Sequence, residues 1–318
     1  MSLFPAFSKL LRSLAPLIVL AAISSVCQAQ AAAQQAGDST TREEIIAASD
    51  GWPIHATYYE SAAGKESPAV ILLAAAEGPD KKDARNRRVW QNTAVALQKA
   101  GFAVIAVDLR KHGDSIPAAA EGESPVLKMA PNDYLVMVGS DMEAVKEFLL
   151  NEHKLEKLNV RKTGIVAVGS SAMVASAFAV ADWAKKPYPD GPTPETSTPR
   201  GQDVQALIMY SPNATVKGIN STNVMRSLKV IPVAVHIIAS KDIKDDVRSA
   251  DKIFKAIELK DEQLKESRKL TMAGGDITAE GFLEGRFADP TNADIIDFLT
   301  KKVKTADMPW ASRKSRLE

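Results

Sequence analysis

Cysteine is all but missing: the 318 residues hold one, Cys27. That excludes a disulfide framework and any Cys-based zinc cluster. Histidine is also scarce, at His55, His112, His153 and His236, and no two of these have metal-ligand spacing. No bound transition metal is expected. Charge of one sign is lacking too, since Lys+Arg 40 against Asp+Glu 39 leaves +1. Phosphate-backbone or anionic-lipid binding needs a concentrated basic face, so no nucleic-acid partner is expected. Gly169 and Gly274-Gly275 form neither a phosphate loop nor a dinucleotide fingerprint, and no cofactor is expected. No internal repeat of the solenoid type is visible.

What is present begins with a segment unlike the rest. Lys9 and Arg12 precede an apolar run from Leu14 to Val26, and small residues follow at Ala29, Ala31, Ala32 and Ala33. A charged start, a short apolar stretch and an A-x-A-like end read as a secretory signal peptide over 1–29. The run falls short of the ~20 apolar residues that span a bilayer, and Pro16 interrupts it. The expectation is a secreted or periplasmic protein with no transmembrane span in its mature chain. Removing Lys9 and Arg12 with no acidic residue takes the formal charge from +1 to −1. A flexible leader rich in Gln, Ala, Ser and Thr follows over 30–41.

From residue 42 to 304 apolar strands alternate with amphipathic helices. Glu43–Ala48 and Pro53–Tyr59 flank Asp50-Gly51, a strong hairpin signal. Strands are expected over Ala69–Ala76, Phe102–Val107, Gly164–Val168, Val204–Met209, Ile231–Ile238 and Lys269–Met272. Helices are expected over Val89–Lys99, Asp141–Leu150, Ser171–Trp183, Asp246–Leu259 and Ala293–Lys302, with a short one at Asn223–Leu228. Five prolines between Pro187 and Pro199 exclude helix and inner strand there. Residues 305–318 read as a frayed basic tail. Continuous apolar strands separated by helices mean a mostly parallel, doubly wound sheet, and the opening hairpin adds an antiparallel edge.

The stretch richest in chemistry is Gly164-Ile-Val-Ala-Val-Gly-Ser-Ser-Ala-Met173, where an apolar strand meets a helix at Gly169-Ser170-Ser171. In a G-x-S-x-G elbow, a strained strand-to-helix turn projects the serine above the sheet. Gly169 supplies the small residue two before Ser171, but Met173 stands two after it. Ser170 is flanked worse, by Val168. A serine-capped turn without reactivity is the plain alternative. A serine nucleophile also needs an acid and a histidine. Asp242, after Ile231–Ile238, has the right address for the acid, although helix capping by Asp242, Asp245 and Asp246 fits as well. A loose Ca²⁺ site at these acids is a lesser alternative. No histidine follows Met272. His112 lies about two strands from the elbow, or roughly 10 Å, beyond the ~2.6–3.2 Å reach of a base. Asp276, Glu280 and Glu284 are the carboxylates that could stand in.

The hairpin, the Val-Ile-Leu-Leu strand, Asp108-Leu-Arg-Lys-His-Gly-Asp-Ser115, the Gly169–Ser171 turn and Asp242 fall in one order over residues 43 to 303. Together they resemble the α/β-hydrolase superfamily, in its esterase, lipase and dienelactone-hydrolase-like branch, and most of all its exported bacterial members. The resemblance implies an α/β-hydrolase fold, Ser171 as nucleophile and Asp242 as acid. Gly169, Ala172 and Glu77 would form the elbow and oxyanion side, and a small acyl or ester ligand would fill the cleft. The triad histidine has no match. Two readings follow: a degenerate hydrolase whose cleft binds a ligand or partner, or a weak serine esterase in which Ser171 uses a non-histidine base.

Overall fold

The computed structural model describes residues 40–76, 86–116, 129–261 and 266–317. Among them the strands are β1 (Thr41–Ala47), β2 (Pro53–Tyr59), β3 (Pro68–Leu73), β4 (Ala103–Val107), β5 (Asn159–Val168), β6 (Val204–Tyr210), β7 (Ala234–Ser240) and β8 (Arg268–Ala273). They make one sheet in the order β1-β2-β4-β3-β5-β6-β7-β8. β1 pairs antiparallel with β2 and β2 antiparallel with β4, and every later pairing is parallel. The expected parallel sheet with an antiparallel opening hairpin is therefore what the chain forms. β1 starts at Thr41, so the leader expected through 41 gives up its last residue to the sheet.

The helices are α1 (Gln91–Lys99), α2 (Pro131–Val136), α3 (Met142–Lys154), α4 (Ser171–Ala184), α5 (Ser221–Val230), α6 (Lys244–Ile257) and α7 (Ala288–Leu299). Side chains of successive strand residues point to opposite faces, so continuous apolar strands feed two cores. Ile71, Leu73, Ile105 and Val107 pack under Val145 of α3, Phe178 of α4, Leu228 of α5 and Ile253 of α6. Val70, Leu72, Val104 and Ala106 face the other way, toward Leu97 of α1 and Ile295 and Phe298 of α7. Gly164 lies on β5 where α7 ends against the sheet. A Cβ there would come within 2.6 Å of Leu299 Cδ2, so the close approach requires glycine.

β5 begins five residues before the apolar signal at Gly164, because its polar start is tied down from outside the strand. The Asn159 side-chain amide donates to Met308 O (2.9 Å). The partner is the carboxy-terminal segment, which is not frayed as expected. The Trp310 ring lies 5.0 Å from that of His153, Arg313 is buried in an ion pair with Asp203, and Ser315 Oγ donates to Asp190 (2.8 Å). The Asp203 carboxylate also meets Lys146 (2.9 Å), which pairs with Asp182 as well. Two cations and two carboxylates thus close a buried network that the tail completes, and composition alone gave the tail no such partner.

Candidate functional site

β5 carries the elbow to the carboxyl edge of the sheet, and the backbone shows where its strain sits. Val168 is the last strand residue and Gly169 has φ +58. Ser170 is already helical (φ −72, ψ −24), and α4 starts at Ser171. The Gly169 N–H donates to Tyr210 O (3.0 Å), and its carbonyl accepts from Asn213 N (3.1 Å). The left-handed residue of the turn, from which a side chain would project above the sheet, is therefore Gly169.

Ser171 does not stand at that position. It is fully buried, and its hydroxyl donates to Val168 O (2.7 Å) while accepting from Val168 N (3.1 Å). A serine in the first helical turn turns back onto the chain it has just left, and both of its roles are spent on backbone. Ala172 is likewise buried, inside the core rather than on a cleft wall. The register of the elbow is thus two residues earlier than the G-x-S spacing suggests. A signal was available in Ala167-Val-Gly-Ser-Ser171, where small residues stand two before and two after Gly169 and Met173 no longer has to fit.

Asp242 is exposed, and its Oδ2 accepts from Gly275 N (2.7 Å), which ties the β7 and β8 exits together. Glu280 Oε1 accepts from Ala75 N (2.9 Å), and Asp276 is exposed. Glu77 lies outside the described residues. Three of the four histidines are engaged elsewhere. His55 is on β2, and His112 Nδ1 lies 2.9 Å from Arg110 O. His153 sits between the carbonyls of Leu158 (3.1 Å) and Ala311 (2.9 Å). His236 Nε2 is 2.9 Å from Thr271 Oγ1, and burial drives its pKa down to about 4, so it is neutral near pH 7. None of them lines the cavities at the elbow.

Two such cavities meet at Asn213. One, of about 220 Å³, is bounded by Gly169, Ser211, Asp246, Ser249 and Thr278. The other, of about 290 Å³, is bounded by Met129, Tyr134, Ser170, Val216 and Lys217. Asp246, read from sequence as a capping residue or a loose Ca²⁺ ligand, is buried; burial raises its pKa against the pull of bonds from Ser240 N and Ser211 Oγ. Ser211, at φ +44, donates to Asp246 (2.9 Å) and accepts from Ala279 N (2.9 Å), and no sequence pattern singled it out. No group of three or more His, Cys, Asp or Glu residues able to hold a metal occurs among the described residues.

No protein-family model and no curated protein matches this chain. Solved structures do. An esterase from Pyrococcus furiosus is 14% identical with a TM-score of 0.54, covering 83% of this chain and 91% of its own. A dienelactone hydrolase from Anabaena variabilis is 13% identical with a TM-score of 0.53, covering 83% and 99%. Esterase 2 of Thermogutta terrifontis, solved phosphorylated by paraoxon, is 13% identical with a TM-score of 0.55, covering 82% and 94%. The fold is that of the α/β-hydrolases. Within it, Gly169 holds the strained elbow position and Asp242 follows β7. Among the described residues no helix is long and apolar enough to cross a membrane.

Proposed function

We propose that this α/β-hydrolase-fold protein binds a ligand in the cleft over the elbow without forming an acyl-enzyme there. One observation carries the reading: the left-handed elbow residue is Gly169, which has no side chain to attack with. The histidines support it, because none of them lines the two cavities at the elbow and a hydroxyl gains useful nucleophilicity only beside a base. Ser171 supports it as well, since its proton is committed to Val168 O inside the core. The two cavities that meet at Asn213 offer room for a small ligand, with acyl and ester compounds in the class to be tried. The basic start, apolar run and small-residue end of the first thirty residues support export as part of the same proposal.

A fluorophosphonate probe with mass-spectrometric mapping tests the reading. Expected is no adduct on the folded protein and no turnover of short p-nitrophenyl esters above background. An adduct on Ser171 that vanishes in Ser171→Ala would instead establish the weak esterase.

A further inference from the structure

Six acids are buried among the described residues: Asp108, Asp141, Glu152, Asp182, Asp203 and Asp246. Five of them face a cation. Asp108 pairs with Arg87, Asp141 with Arg110, Glu152 with Arg42, and Asp182 and Asp203 with Lys146. Asp246 does not. Its Oδ2 accepts from Ser240 N (2.6 Å) and Ser211 Oγ (2.9 Å), and no lysine, arginine or histidine among the described residues pairs with it. Its Oδ1 has no hydrogen-bond partner among them, although the residue is only 7% exposed. That oxygen is not sealed in the core, and Asp246 lines the 220 Å³ cavity beside Gly169. Among the described residues the lining holds no basic side chain; its other charge, Asp245, is exposed and engaged with Arg248 (3.1 Å).

Asp246 lies in the first turn of α6, where the helix N-terminus and two hydrogen bonds offset part of its charge, but no full counter-ion among the described residues does. A carboxylate taken out of water favours a ligand that brings one. Here Asp246 lines a cavity large enough for several non-hydrogen atoms, among neutral oxygen groups on Ser211, Ser249 and Thr278. We propose that this cavity is a recognition site for an organic ammonium group, a primary amine whose cation pairs with Asp246. A hard metal ion fits the donors poorly, because Ca²⁺ wants six to eight oxygens and the wall offers one buried carboxylate. The apolar part of the ligand extends past Asn213 toward Met129, Tyr134 and Val216. The proposal rests on the binding-cleft reading and names the chemistry of its ligand.

The experiment is calorimetry or NMR titration of the full chain with n-butylammonium, 1-butanol, butyrate and CaCl₂. Saturable binding of the ammonium is expected, weakened by at least about tenfold in Asp246→Asn and unchanged in Asp297→Asn, an exposed carboxylate on α7 outside the cavity lining. The alcohol and the carboxylate should bind at least about tenfold more weakly than the ammonium. Asn keeps an oxygen for Ser240 N and Ser211 Oγ, so the fold should survive. Should it not, Thr278→Trp, which fills the cavity from an exposed position, must abolish binding with the carboxylate intact. No ammonium binding, equal binding in Asp246→Asn, equal binding of the alcohol, or Ca²⁺ binding that depends on Asp246 would each overturn the proposal. Failure here alongside silence to the fluorophosphonate would remove the ammonium site and leave the non-catalytic cleft standing.

Discussion

Replacing Gly169 by serine would put a hydroxyl on the one residue of the β5–α4 turn that has left-handed backbone. The energetic consequence follows from φ +58, since an L side chain in that region costs roughly 1–2 kcal/mol. For a domain of this size, each kcal/mol lowers Tm by roughly 2–4 °C, so the melting temperature should fall by roughly 2–8 °C. The variant should therefore still fold. Its chemical consequence, once a base is added, is a fluorophosphonate adduct at residue 169 that wild type and Ser171→Ala both lack. Without a triad histidine the rate should stay low, near the ~10³–10⁴-fold over water that an incomplete triad retains. Adding Asp276→His, in the loop after β8 where the base belongs, should raise ester turnover above Gly169→Ser alone. The assay is probe labelling mapped by mass spectrometry, with p-nitrophenyl acetate turnover and a melting curve beside it. Labelling of wild type at Ser171, or a folded Gly169→Ser/Asp276→His protein that the probe never modifies, would refute the register assigned to the elbow.

Gly164→Ala should cost about 1–3 kcal/mol by overpacking against Leu299, and Gly164→Ala/Leu299→Ala should be less destabilised than the two single changes added together, as a denaturant double-mutant cycle would read out. Arg313→Ala strips a cation from the buried Asp203–Lys146–Asp182 network and should cost about 3–5 kcal/mol, whereas a frayed tail would make the change silent in urea melts. His236 has a folded pKa lowered to about 4 by burial, below the roughly 6.5 of an unfolded histidine, so its contribution is complete above about pH 6.5 and is lost as pH falls toward 4. His236→Gln should flatten that part of the stability–pH curve, and an unchanged slope would count against a buried neutral ring. Expression in a bacterial host with amino-terminal sequencing of the extracytoplasmic fraction should find a chain starting just after Ala29, and an intact Met1 chain confined to the cytoplasm would remove the export reading.

The sheet was legible because parallel strands buried on both faces are written as unbroken apolar runs, and Ala69–Leu73, Ala103–Val107 and Ile165–Val168 are such runs. Elements without that mark were misjudged. The first half of β5 carries Arg161 and Lys162 and takes its anchorage from the tail at Met308 and Pro309, 148 or more residues away. A local pattern holds no trace of such a partner. The tail itself was misread for the same reason, since basic residues read as solvated until Asp203 and Asp190 are known to lie beneath them.

At the site, the G-x-S spacing points to Ser171 because Gly169 stands two before it, yet the requirement that governs an elbow is backbone strain, and strain selects glycine unless chemistry forbids it. Once Gly169 is taken as the strained residue, Ala167 and Ser171 become the small flanking positions and the burial of Ser171 follows from its place in the first turn of α4. On the proposed non-catalytic reading the missing triad histidine follows from the same logic: with no hydroxyl on the elbow, no imidazole is needed in the β8 loop. Asp242 and Glu280 then hold backbone N–H groups of Gly275 and Ala75 and fix the cleft walls. What remains unbalanced is Asp246, a buried negative charge beside an open cavity. Because the other buried acids among the described residues all face cations, that imbalance is the feature a ligand can be expected to satisfy.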